Sequence, residues 1–185
     1  MVKTKSEVYE IKKDPFDASD EGIKLRVALF RGVTNASELR QMVESGAVEA
    51  SLIKAELVAE VFILLAAASR AATMKAHNRM ATKSIHSEIV YSLSPSKNIT
   101  ESLRCYGVSD DSTDILVAVA EDEKGAKLSS LAKAIQGKSV PLTEIKECAD
   151  YERIKEVYHV KDPELNKGSI TDAILSRIVA KDYVA

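Results

Sequence analysis

The chain has 185 residues, 45% hydrophobic and 29% charged, which is typical of one soluble globular domain that can bury a core. Its net charge of −2 and pI of about 6.0 exclude binding to nucleic acid or anionic membranes through the overall field, so such a contact needs a local patch. The longest uncharged apolar run, residues 61–69, is far shorter than the roughly 20 residues that span a bilayer.

The sequence predicts one domain over residues 6–185, after a frayed segment at residues 1–5. A short edge strand is expected at residues 8–11, followed by a polar loop at 14–22. Leu25, Val27 and Leu29 alternate with Lys24 and Arg26 in the segment 24–30, which predicts a strand.

The next segments carry helical patterns. Residues 36–45 have apolar positions at helical spacing, with Asn35 as the predicted N-cap and Glu38 completing a capping box. A short helical turn is expected at residues 49–54. Residues 60–79 give the strongest helix, apolar nearly all round in its first half and polar and basic in its second, which predicts a buried central helix.

The middle of the chain predicts a strand, a stop and a helix. Apolar residues recur at alternate positions over residues 85–93, which indicates a strand, and Pro95 ends it because proline cannot donate to a sheet ladder. Asn98 is then the N-cap of a helix that runs to Tyr106.

The last third of the chain begins with residues 114–120, which are apolar on both faces and predict an interior strand covered on both sides. A helix is expected at residues 126–136, a short strand near 140–142, and a short helix, or a helix followed by a strand, at 151–158. Ser169 and Asp172 indicate the capping box of a C-terminal helix.

These elements are interspersed without regular alternation, so a doubly wound parallel sheet is not expected. The predicted fold class is α+β, a mixed α/β single domain. Its four- to five-stranded sheet is mostly antiparallel or mixed and is packed with about six helices.

No residue pattern predicts a metal site, a cofactor or a nucleotide loop. The three histidines have no ligand partner at metal spacing, and no phosphate-loop or nucleophile-elbow motif occurs. Two carboxylate groups leave a small cytosolic enzyme open as an alternative: Glu88, and the acidic run 121–123 after the interior strand. The simpler interpretation makes Glu88 exposed or salt-bridged and the run a solvated loop.

The sequence carries one local electrostatic signal. Four cations follow one another without an intervening acidic residue, and those four apart share a helix face, so together they can hold phosphates. A solvated helix end with cations near its negative dipole end is the alternative. The predicted phosphate-binding residues are Arg70, Lys75, Arg79 and Lys83.

A second candidate surface is the apolar excess around the start of the strongest helix. Such residues are usually core, but at a helix start they can form a protein-docking patch. The predicted partner-binding residues are Leu52, Ile53, Val61, Phe62 and Leu65.

The N-terminal residues lack the apolar core of a secretory signal, and Cys105 and Cys148 have no metal spacing. We therefore expect a soluble cytoplasmic and nuclear protein with reduced thiols; a disulfide stays open as an alternative.

Four stretches of the chain resemble the TPRKB/Cgi-type family, the subunits of the KEOPS (EKC) complex that bind its small atypical kinase, PRPK. The third stretch is the most specific, because it joins Leu-Ser-Pro to Asn-Ile-Thr-Glu. The stretches are LFRGVTNASELR at 29–40, SLIKAELVAEVFILLAAASRA at 51–71, SEIVYSLSPSKNITESLRCYGVSDDSTDILV at 87–117 and ITDAILSRIVAKD at 170–182.

The resemblance implies a non-catalytic protein that binds the N-terminal lobe of the kinase and stimulates it, with the threonylcarbamoyl-transferase subunit as an indirect partner. It also implies a share in forming N6-threonylcarbamoyladenosine in tRNA, where the subunit holds the 3′ CCA end. This makes tRNA contact through the four cations more attractive. A pure kinase regulator without RNA contact is the alternative within the same family.

Overall fold

The computed structural model describes residues 4–12, 16, 22–122 and 124–183, and it confirms the α+β class. In the described part, five strands form one sheet, and every strand pairing in it is antiparallel. The strands are β1 (Ser6–Ile11), β2 (Ile23–Arg31), β3 (Ser51–Lys54), β4 (Ile115–Ala120) and β5 (Lys138–Val140).

The order of strands across the sheet is β1-β2-β4-β3, and β5 pairs with β2 beyond the end of β1. The predicted frayed N-terminus and the loop at 14–22 lie largely outside the described residues.

Helices cover both faces of this sheet. The described residues contain nine α-helices and two short 3-10 helices, Ala55–Leu57 and Leu142–Glu144, and none of the helices is long and apolar enough to cross a membrane. The α-helices are α1 (Ala36–Glu44), α2 (Val61–Ala76), α3 (Ile85–Leu93), α4 (Ile99–Tyr106), α5 (Ala126–Ala134), α6 (Ile145–Cys148), α7 (Tyr151–Tyr158), α8 (Asp162–Leu165) and α9 (Ile170–Ala180).

The interior position predicted for β4 is confirmed. All six of its residues are buried, and successive side chains point to opposite faces of the sheet. Leu116 and Ala118 join the larger core, which is covered by α2, α3, α7 and α9. Val117 and Val119 join the smaller core under α1 and α5. A strand buried on both faces carries a continuous apolar run, as the sequence showed.

The predicted strand over residues 85–93 is wrong, because this segment is helix α3. Residues 85, 89 and 93 fit a helical period as well as a period of two. Ser84 and Ser87 decide the local structure, because each side chain bonds the other's backbone N–H in a capping box. Nearly all of the helix is buried, so its apolar pattern does not distinguish the two structures.

The predicted helical turn at residues 49–54 is also wrong, because residues 51–54 form the edge strand β3. Ile53 pairs with Leu116 of β4, a residue far away in the sequence. A segment of four residues has no helical or strand period of its own, and the partner strand fixes its conformation. The sheet therefore has five strands, within the predicted four to five. Residues 51–54 supply the strand that the sequence had assigned to residues 85–93.

The remaining differences concern helix number and ends. The count exceeds six because of α3 and two one-turn helices, α6 and α8. Helix α2 ends at Ala76, three residues before the predicted end, where Asn78 takes a left-handed φ of 54°. The Asn98 cap and the Ser169–Asp172 box are confirmed. Asn35 does not cap α1, because its side chain bonds Ala134 O and Gln136 N instead.

Candidate functional site

The loop between α2 and α3, residues 77–84, carries two exposed cations and is called the basic loop below. Arg79 and Lys83 have no salt bridge or side-chain hydrogen bond within the part of the chain that the structure describes. The loop is held by Glu88 of α3, whose Oε2 accepts the N–H of Thr82 at 2.8 Å and its hydroxyl at 2.7 Å. The two free cations are therefore presented by an anchored segment.

Lys75 adjoins the basic loop in the last turn of α2, but it has a partner. Its Nζ lies 2.9 Å from Oε1 of Glu121, the residue that follows β4 with a left-handed φ of 57°. The hydrogen bond from Lys75 lowers the pKa of Glu121. Lys75 remains about half exposed, so Glu121 weakens the attraction of Lys75 for an anionic ligand without abolishing it.

Arg70, the fourth predicted cation, is separate from the basic loop and has a structural role. Its side chain is 10% exposed and joins three helices. NH2 bonds both carboxylate oxygens of Asp182 at 2.6 and 2.8 Å, and NH1 bonds the hydroxyl of Ser92 at 2.9 Å. A guanidinium held in this way offers little to a phosphate ligand.

The structure divides the predicted apolar patch. Leu52 and Ile53 are buried in β3, where they point into the smaller and the larger core respectively. They are not available at the surface, and a docking role does not fit this position. Val61 and Leu65 pack partly against the larger core, while Phe62 is 58% exposed.

Exposed apolar residues on α9 were missed by sequence reasoning. Val179 is 67% exposed and Tyr183, just after the helix, is 89% exposed. The apolar pattern of a helix does not show how much of its apolar side the neighbouring elements cover. The sequence therefore holds no signal that Val179 and Tyr183 stay exposed.

Helices α2 and α9 lie side by side and point in the same direction. Thr171 bonds Glu60 at the start of both helices, and Asp182 bonds Arg70 further along. Thr171 and Asp182 lie on the side of α9 that faces α2, and Val179 is about 80° from Thr171 around the helix, with its side chain exposed. Phe62 lies in the first turn of α2, while Val179 and Tyr183 lie at the end of α9, so they mark opposite ends of the paired helices. We call these exposed residues together the α2–α9 face.

A cleft of about 940 Å³ lies elsewhere, between the segment before β3, the first turn of α3, and α4. Apolar side chains form much of its wall, and His86 of α3 is among the residues that line it. Sequence reasoning gave no sign of this cleft, because its walls come from segments that are distant in the chain.

The carboxylates considered for an enzyme are engaged in structure. Glu88 anchors the basic loop and Glu121 binds Lys75, as described above. Asp122 is buried and accepts the backbone N–H groups of Lys127 and Leu128 at the start of α5. Glu123 lies outside the described residues. Among those residues no group of three His, Cys, Asp or Glu side chains is placed to bind a metal ion.

Comparison with known proteins finds relatives of this chain in several organisms. The EKC/KEOPS complex subunit TPRKB of Danio rerio is 32% identical over 155 residues, which is 83% of this chain and 89% of that protein. The cgi121 subunit of Aspergillus fumigatus is 35% identical over 144 residues, 74% of this chain and 76% of its own. The CGI121 subunit of Kluyveromyces lactis is 33% identical over 135 residues, 72% and 85% of the two chains.

The model of a protein family, described as "Kinase binding protein CGI-121", matches residues 30–182. The match extends from the end of β2 through α9 and so includes the basic loop, the cleft and the helices of the α2–α9 face. The chain belongs to the CGI-121 family of kinase-binding proteins.

Proposed function

We propose that this protein is a non-catalytic subunit of a KEOPS/EKC-type complex, in which it binds and stimulates the small atypical kinase. The family match over residues 30–182 carries this proposal, and the names of the relatives support it. The protein would thereby contribute to N6-threonylcarbamoyladenosine formation in tRNA, in the cytoplasm and the nucleus.

The α2–α9 face suits kinase docking. Phe62, Val179 and Tyr183 are exposed apolar or aromatic side chains on neighbouring helices, and such residues are the usual anchors of protein interfaces. The half-buried Val61 and Leu65 support the helix turn that carries Phe62. In this proposal Leu52 and Ile53 act only through the core.

Phe62→Glu tests this docking face. A charge at an anchor position should weaken kinase binding by about 30-fold or more, which corresponds to about 2 kcal/mol, measured by calorimetry with the purified kinase. Val8→Glu is the matched control, because Val8 is also half exposed but lies on the other side of the sheet from α2 and α9. Its neighbours Tyr9 and Ile11 pack against the larger core, so Val8 points away from that core. Equal kinase affinity of Phe62→Glu and wild type would show that the kinase docks elsewhere.

The basic loop suits a contact with the 3′ CCA end of tRNA. Arg79 and Lys83 are exposed without ion-pair partners in the described chain, and Lys75 lies beside them. Such cations bind phosphates through counterion release, so the affinity falls steeply with salt. Arg70 contributes by holding α2 against α3 and α9 and not by touching RNA.

The triple variant Lys75→Gln, Arg79→Gln and Lys83→Gln tests the RNA contact. Neutral glutamine avoids placing a new carboxylate against Glu121. The slope of log K against log salt for tRNA should fall by about 2 to 3, while kinase binding is unchanged. The control neutralises three other exposed lysines, at positions 133, 138 and 146.

The alternative, a kinase regulator without RNA contact, predicts a different result. Gel shifts of the isolated protein with intact tRNA and with tRNA lacking its CCA end separate the two. Binding that depends on the CCA end favours RNA recruitment. Unaltered tRNA binding by the triple variant across the salt range would refute the basic loop as the contact.

A further inference from the structure

The cleft has the dimensions and the walls of a ligand pocket. Its volume of about 940 Å³ lies within the range of pockets that hold small molecules, which are mostly apolar with a few placed polar groups. Side chains from four separate segments enclose it. Its apolar wall includes Val43, Val48, Leu52, Ile85, Val90 and Leu103.

His86 places a hydrogen-bond donor in this wall. The residue is 7% exposed, and its Nε2 accepts the backbone N–H of Ala120 at 3.1 Å. Since Nε2 is an acceptor, the proton of the neutral ring is on Nδ1. Burial lowers the pKa of His86 to about 4, so the ring is neutral at physiological pH.

The Nδ1–H donor of His86 is unused. No hydrogen bond joins it to any other part of the described chain. Nδ1 is not among the fully buried side-chain atoms that lack a partner in the described residues, so it is accessible, and His86 lines the cleft; we infer that Nδ1 faces the cleft. A ligand that covered this donor without accepting its proton would leave it unpaired at a desolvation cost, so the donor favours a ligand with an acceptor at that point.

The charges around the cleft are largely compensated. Arg40 pairs with Glu44 and Asp110. Lys127 pairs with Glu49, and Glu121 pairs with Lys75.

Arg104 remains as the rim cation without an ion pair in the described residues, and it is exposed at the solvent side. An ion bound against the apolar wall would lose hydration, and Arg104 would offset little of that cost because an exposed charge is strongly screened by solvent.

We propose that this cleft binds a small uncharged molecule with a mainly apolar body and one hydrogen-bond acceptor, such as a carbonyl oxygen, that accepts the Nδ1 proton of His86. The apolar walls hold the body, and the neutral imidazole selects an acceptor. The site is separate from the α2–α9 face and is independent of kinase docking.

Three probes of similar shape test the proposal: acetophenone, ethylbenzene without the acceptor, and benzoate with a charge. The whole protein, labelled with nitrogen-15, is titrated with each and followed by amide and imidazole resonances. We expect saturable shifts of Ala120, Ile85 and the Nδ1–H of His86 with acetophenone. Ethylbenzene should bind roughly five- to tenfold more weakly, as expected for one lost hydrogen bond.

His86→Gln is the matching variant, because a glutamine oxygen can still accept the Ala120 N–H while the donor at Nδ1 is lost. Its affinity for acetophenone should fall by the same roughly five- to tenfold. Leu103→Trp places a larger side chain in the cleft from α4 and should abolish binding. This variant tests the site if His86→Gln does not fold.

Three outcomes would overturn the proposal: no saturable shift with acetophenone, equal affinity in both variants and wild type, or tighter binding of benzoate. Shifts of the cleft amides that arise only when the kinase is added would make the cleft a protein interface and would also overturn it.

Discussion

Lys181 should make the stability of this protein depend on pH near neutrality. The side chain is buried at the end of α9, where Nζ donates to the carbonyl of Tyr91 and lies 3.2 Å from the centroid of its ring. Desolvation lowers the pKa of Lys181 to about 7, and Arg70 acts in the same direction. Glu88 and Asp182 oppose the shift.

The sign follows from proton binding. The ordinary pKa of 10.5 applies to the unfolded chain, so between about pH 7 and that value the unfolded state binds more protons at Lys181 than the folded state does. The free energy of unfolding therefore rises with pH in this window, by up to about 1.4 kcal/mol per pH unit. Between about pH 7 and pH 9 the expected gain is about 2 kcal/mol.

Urea unfolding of wild type and Lys181→Met over this pH range measures the effect. The difference in unfolding free energy between the two proteins should grow by about 2 kcal/mol, because all other titrating groups cancel. Lys133→Met, at an exposed lysine of α5, should run parallel to wild type. Parallel curves for Lys181→Met and wild type would refute a shifted lysine at this position.

Two further predictions concern the helices that meet around α3. Arg70→Gln should lower the unfolding free energy by about 2 kcal/mol, because it removes charge-assisted bonds to Asp182 and the bond to Ser92. It should leave the salt slope of tRNA binding unchanged; a lower slope with intact stability would make Arg70 an RNA contact. Tyr158→Phe should cost about 1 to 2 kcal/mol in urea unfolding, because it removes the 2.6 Å bond to the buried carbonyl of Leu93. A cost near zero would mean that this carbonyl is satisfied without Tyr158.

Local patterns predicted the parts of the fold in which one period dominates. Strand β2 alternates in its first half, β4 is apolar on both faces, and α2 is too long an apolar run for a strand. The patterns were insufficient for α3 and β3. Helix α3 is buried on nearly all sides, and β3 is a short segment whose partner strand is remote in the chain.

The candidate site shows the same division. The run of cations from Arg70 to Lys83 was visible in the sequence, but the ion-pair partners of two of them, Asp182 and Glu121, come from other parts of the chain. Folding therefore decided which cations remain free. The unpaired donor of His86 had no sequence signal, because the cleft that His86 lines is built from four separate segments.

The sequence by itself determined the α+β class, the interior strand, the central helix and the family resemblance that the comparisons confirm. These features depend on side-chain periodicity and on local motifs, which act over a few residues. The tertiary structure alone decided which cations are paired, which apolar residues stay exposed on α2 and α9, and where a cleft forms. Those properties depend on contacts between segments that are far apart in the chain, and a local pattern does not encode them.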